Sequence, residues 1–120
     1  MDVYTIQLAK WRLAEAKGIP LLNTTVKSGK KAFCPNWDWV IGHKTGTMSD
    51  FEYTEKYQSK MAFSLLNFLD DWNELLTSDA VALACYCSPG VFCHRHILRQ
   101  IVKEECAKRG ITYVDKGEIR

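Results

Sequence analysis

The chain has 120 residues, 47% of them hydrophobic, and a formal net charge of +2. That length holds one domain around one core, with the composition of a globular chain and not a disordered one. So small a charge does not indicate nucleic acid as a partner, and no apolar stretch is long enough to span a bilayer, so no membrane partner is expected.

Five cysteines is an odd number, and Cys85 and Cys87 sit one residue apart in an apparent strand, where neighbours do not bridge. The start of the chain lacks the basic-then-apolar order of a secretory signal. Reduced thiols and a cytoplasmic location are therefore expected.

Residues 4–17 carry Ile6, Leu8, Ala9, Leu13 and Ala16 among Lys10, Arg12 and Glu15, which predicts mostly helix. The Val3-Tyr4-Thr5-Ile6 start also suits a strand. Gly18 ends the helix and Pro20 resets the backbone. Residues 19–26, with Leu21, Leu22, Thr24, Thr25 and Val26, read as a buried strand. Lys27-Ser28-Gly29-Lys30-Lys31 follows at its carboxyl end. It is either a phosphate-holding loop, through Lys27, Ser28 and Lys30, or a solvated basic turn. It is not a Walker loop, because the order of its glycine and lysines is wrong.

Residues 32–48 show no period and read as a long irregular segment. Trp37 and Trp39 either stack a base or close a core edge. His43 and Lys44 either meet an anion or stay on the surface. Ser49-Asp50-Phe51-Glu52 is a capping box that starts a helix. Tyr57, Met61, Leu65, Phe68, Leu69, Trp72, Leu75 and Leu76 then form an apolar stripe, predicting one long helix that faces the core. Asp70, Asp71 and Glu74 are its solvated face. Tyr53, near the helix start, is the tyrosine expected to reach a pocket.

Residues 80–87 form an apolar run without charge, which suits a strand covered on both faces. Ser88-Pro89-Gly90 stops it. A helix begins at Phe92 or Cys93, with Ile97, Leu98, Ile101 and Val102 on one side and Gly110 at its end. Residues 111–114 read as a last short strand. Glu118, beyond it, reaches the site if the last strand lies beside the first; otherwise it frays at the surface.

The strand, turn and helix around Cys93 are where reactive side chains converge. First-turn amides and the helix dipole attract anions, Arg95 offers a fork of donors, and the dipole draws the Cys93 thiol toward thiolate. His94 projects toward the Leu98 side and His96 away. Three readings stay open. One is an anion pocket. Another is a metal site from Cys85, Cys87, Cys93 and His94, against which stand an unfamiliar spacing and the divergence of adjacent ligands on one helical turn. The third is plain packing: Cys85 and Cys87 as small core residues, His94 bonded to a carbonyl, Arg95 as a surface cation.

Cys85, followed eight residues later by Cys93-His94-Arg95 and a helix, resembles the motif of the domain of unknown function 488 family. The Tyr53…Tyr57…Met61 helix and the Leu-Leu-Asn-Thr-Thr strand are similar to that family's layout, and the resemblance covers residues 20–113. The family often has an acid where this chain has Cys87. The Cys-Tyr-Cys form is similar to small phage-encoded proteins. The resemblance implies a small α/β protein and leaves its activity open.

The expected fold is α/β: a small, mainly parallel, three-layer α/β/α (Rossmann-like) domain with strands at residues 19–26, 80–87 and 111–114. The expected function is binding of a phosphate-bearing small molecule, a nucleotide or a derivative. Arg95, the amides near Cys93 and the Lys27, Ser28 and Lys30 loop would hold the anion, beside Cys85, His43, Lys44 and Tyr53. Should chemistry follow, Cys93 or Cys87 is the nucleophile and His94 its acid/base partner. Arg95 lies eight residues after Cys87, so the phosphatase spacing of cysteine and arginine is absent. No metal and no cofactor is assigned. The alternatives are a non-catalytic, phage-type inhibitor or sequestering protein acting on a host protein, and a small Cys/His metal-binding domain.

Overall fold

Asp2–Gln7 is a strand, β1, and not the opening of a helix. In the computed structural model, which describes residues 1–120, it lies in the interior of the sheet. The helical reading of residues 4–17 holds only for α1 (Trp11–Ala16), reached through a 3-10 turn at Leu8–Lys10. Then come β2 (Leu21–Asn23), α2 (Trp37–Thr45), α3 (Asp50–Asn67), α4 (Leu69–Leu76), β3 (Ala80–Cys85), α5 (His94–Lys108) and β4 (Val114–Ile119). The strand order is β2-β3-β1-β4 and every pairing is parallel. This is a small α/β domain, and no helix is long and apolar enough to cross a membrane.

The pleat divides the strands between two cores. Val3, Val81 and Leu83 face the larger one, under Tyr57, Met61, Trp72, Leu98 and Val102 of α3, α4 and α5. Ile6, Ala82, Ala84 and Ile119 face the smaller one, closed by Ala14 of α1 and by Ile19. One layer is thus thick and the other thin.

Several boundaries differ from the sequence reading: the strands expected at residues 19–26 and 80–87 are confined to Leu21–Asn23 and Ala80–Cys85. Residues 32–48 contain a helix, α2, which ends at Gly46 with φ 82°. The long stripe breaks at Phe68 (φ −125°, ψ 45°), separating α3 from α4 and leaving Leu69 exposed. The last strand lies at Val114–Ile119 and not at residues 111–114. The Ser49 cap holds as expected, its hydroxyl accepting from the Glu52 amide at 3.1 Å.

Ser64, a polar residue on the core face of α3, ties the segment after β2 to α4. Its hydroxyl donates to the Ala32 carbonyl at 2.6 Å and accepts from the Trp72 indole at 2.9 Å. Ser64→Ala orphans both buried groups. It will lower the unfolding free energy by about 1–3 kcal/mol, read as a drop in the urea midpoint at unchanged slope. A loss indistinguishable from zero would mean that water reaches the Trp72 indole.

Candidate functional site

β3 ends at Cys85, whose side chain continues the face of Val81 and Leu83 toward α5. The chain turns back through Gly90, whose φ of 79° favours glycine. Cys93 is the extended N-cap of α5 (φ −159°, ψ 149°) and His94 its first helical residue. That change of conformation brings two adjacent side chains to one point. The Cys93 sulfur lies 3.7 Å from His94 Nδ1 and touches the Cys85 sulfur. All three residues are buried, and their ligand-capable atoms lie within 4.8 Å of one another. Cys34, Cys87 and Cys106 are free, but Cys85 and Cys93 are joined as a disulfide, so the expectation that every thiol is reduced does not hold for that pair.

Hydrogen bonds fix the His94 tautomer. Thr24 Oγ1 donates to the Ala84 carbonyl at 2.7 Å, so toward His94 Nε2, 2.8 Å away, it can only accept. The Thr24 carbonyl, 3.0 Å from the same nitrogen, can only accept as well. Nε2 therefore carries the proton and Nδ1 turns its lone pair toward Cys93. Burial lowers the His94 pKa to about 4, against the opposing effect of the Thr24 bond and assisted by the Arg95 charge. The ring is neutral at physiological pH.

Arg95 is not the anion fork that the sequence predicts. Its side chain is 0% exposed, and all its donors are taken within the protein. Nε and NH2 donate to Glu118 at 3.3 and 3.2 Å, NH1 to the Cys85 sulfur and the Cys87 carbonyl at 2.8 Å each, and NH2 to the Ser88 carbonyl at 3.3 Å. It binds the turn after β3 to the last strand. A fork so occupied has nothing left for a ligand. Glu118 does reach the site region, because β4 lies beside β1.

Beyond the carboxyl ends of β2 and β3, a cleft of about 400 Å³ opens above the Cys85, Cys93 and His94 floor. Ligands in parallel sheets occupy this edge. Lys27 stands at its mouth, 5.0 Å over the Trp37 ring, and Lys44 lines it too. His43 stacks on Phe92 at 4.6 Å and is hydrogen-bonded to Asp50. Tyr53 meets Phe92 edge-on at 5.4 Å. Burial raises the Tyr53 phenol pKa well above its ordinary range, and the neighbouring Cys87 raises it further. A wider and shallower groove of about 520 Å³, lined by Asn36, Trp39, Lys60 and Phe63 among others, contains no cysteine or histidine.

The structure thus brings together Cys85, Cys87, Cys93, His94, Lys27, His43, Lys44 and Tyr53. Ser28 and Lys30 do not join them. The Ser28 hydroxyl bonds Asn23 and Thr25 at 3.0 Å each, and Lys30 turns to Asp71 and Glu74 of α4 at 3.6 and 3.5 Å. Of the two tryptophans, Trp37 lines the cleft, while Trp39 is buried against Tyr53. Sequence reasoning misses Thr24 and Phe92 as site residues. A hydroxyl at a strand's carboxyl end is the only local signal for the first, and none exists for the second.

A family model described as "DUF488-N3a: Active DUF488-N3 subclade" matches residues 17–106. No curated protein and no solved structure matches the chain.

Proposed function

The chain belongs to the DUF488 family, and from that premise and the cleft's geometry we propose that it binds a small phosphate-bearing molecule, a nucleotide or nucleotide derivative. One observation carries this reading. A single cleft combines aromatic faces, Trp37 and the stacked His43–Phe92 pair, with two lysines at its mouth and thiols on its floor. Flat faces suit a base and lysines suit a phosphate. Any chemistry on the bound molecule falls to the Cys85, Cys93 and His94 floor, which accords with the word "Active" in the subclade's description. Cys87 lines the same cleft beside Tyr53.

The anion is assigned to Lys27 and Lys44 rather than to Arg95, Ser28 or Lys30, whose polar groups are engaged elsewhere. Thermal unfolding of the full chain, with nucleotides, nucleosides and inorganic phosphate as separate probes, tests this. A nucleotide at 100 times its Kd stabilises the folded state by about 2.7 kcal/mol. Lys27→Ala will remove most of the nucleotide-induced shift, and Trp37→Ala most of the nucleoside-induced one. The reading is lost if none of the probes stabilises the wild type, or if Lys27→Ala leaves the nucleotide shift unchanged.

A further inference from the structure

We propose that Cys85, Cys93 and His94 together hold one thiophilic divalent cation, with zinc the ion best matched, and present its fourth coordination position to the cleft. Two thiolates and an imidazole are the donors that zinc prefers. Here all three are buried and converge within 4.8 Å.

Adjacent cysteine and histidine ligands diverge when both are helical. At this N-cap they do not, because Cys93 is extended and only His94 is helical. The frame also suits a third atom between the two thiols. The Cα atoms of Cys85 and Cys93 stand 7.7 Å apart, whereas disulfides span about 4.4–6.8 Å. Here the two sulfurs are in direct contact; once the pair is reduced, side-chain rotation parts them and admits a shared ion bonded to each at about 2.3 Å.

The surrounding groups are those of a ligating set. His94 donates its Nε2 proton to Thr24 and turns the Nδ1 lone pair inward. Metal-bound histidines are commonly oriented in this way, by a carbonyl that accepts from the other nitrogen. Arg95 NH1 donates to the Cys85 sulfur at 2.8 Å, the partner that an anionic sulfur requires. Loading releases the two thiol protons to solvent, and two thiolates balance a divalent charge. Cys87 lies outside the set.

Three protein ligands with a fourth position toward a cleft is the arrangement of a catalytic zinc, not a structural one. The cleft borders all three residues. An ion there polarises an oxygen of a bound molecule or activates a water. Cys93 is then a ligand, and reactivity passes to the ion. This inference extends the ligand reading and does not depend on it.

The full chain, stripped with a chelator under reducing conditions, is titrated with Co²⁺ alone and then with Zn²⁺ alone. One equivalent of Co²⁺ is expected to give a thiolate charge-transfer band in the near ultraviolet, and one equivalent of Zn²⁺ to abolish it. The Cys85→Ser/Cys93→Ser variant will lose the band, while Cys87→Ser and Cys34→Ser keep it whole. Should the double variant fail to fold, the wild type alone decides. Zn²⁺ is expected to protect two of the five cysteines from alkylation, mapped by mass spectrometry to Cys85 and Cys93. The site is refuted by no band in the wild type, by a band undiminished in the folded double variant, by its loss in Cys87→Ser, or by protection elsewhere. Nucleotide shifts are read on the same metal-free protein, so either idea can fail without the other.

Discussion

Arg95→Ala will destabilise the protein by about 3–5 kcal/mol, the range for breaking a buried ion pair by deleting one partner. Measured against a total of about 5–15 kcal/mol for a domain, that is enough to leave a marginal fold. The guanidinium is wholly buried, and the Glu118 side chain is 10% exposed. Deletion strands the Glu118 carboxylate, two turn carbonyls and the Cys85 sulfur at once. Some relief comes from the Thr5 hydroxyl, which donates to Glu118 at 2.6 Å. Glu118→Gln alone should cost less, because an amide oxygen can still accept from Arg95. In a double-mutant cycle, Arg95→Ala with Glu118→Ala will cost clearly less than the sum of the two single changes. Urea unfolding decides. Additive losses, or a loss below about 1 kcal/mol for Arg95→Ala, the level of an exposed pair, would show that the pair is not the tie described.

Gly29→Ala will cost about 1–3 kcal/mol by overpacking and will also abolish the nucleotide-induced thermal shift. A Cβ at Gly29 would lie 2.4 Å from the Thr25 amide nitrogen, 2.5 Å from the Thr25 carbonyl oxygen and 2.6 Å from that of Asn23. These are backbone atoms and cannot swing aside. The turn itself must move, although the Gly29 amide holds it to the Thr25 carbonyl at 2.9 Å and the Lys30 amide to that of Asn23 at 3.0 Å. Thr24, which orients His94, and Lys27, at the cleft mouth, both ride on this turn. Gly90 is the internal control. Its φ is 79°, but a Cβ there meets nothing within 4 Å, so alanine costs only the left-handed backbone penalty of about 1–2 kcal/mol. Urea unfolding and a thermal shift on both variants give the comparison. Gly90→Ala matching Gly29→Ala in lost nucleotide response would remove the special role of the turn.

Residue periodicity and chemistry alone determine a good deal of this protein. The uncharged run of residues 80–87, the glycine turn and the stripe of Ile97, Leu98 and Val102 define a strand, a reversal and a helix, although the strand itself stops at Cys85. From these the α/β class and the Cys-His-Arg locus follow. The Ser49 cap is legible for the same reason: its hydroxyl needs a donor only three residues away. Local interactions suffice for all of these.

Non-local pairing decided the rest. Val3-Tyr4-Thr5-Ile6 is compatible with strand or helix start, and only the presence of β3 on one side and β4 on the other makes it an interior strand. The fate of Arg95 depends on a register. Between Val3 and Tyr4 the pairing with β4 slips by one residue, so Thr5 faces Glu118 instead of Gly117. Such a slip turns every later side chain to the other face of the sheet. It places a carboxylate beneath the guanidinium, and a residue suited to grasping a ligand anion grasps the protein's own. The sequence states how many donors a side chain carries; the partners that come within 3 Å of them are set by where distant backbone segments lie.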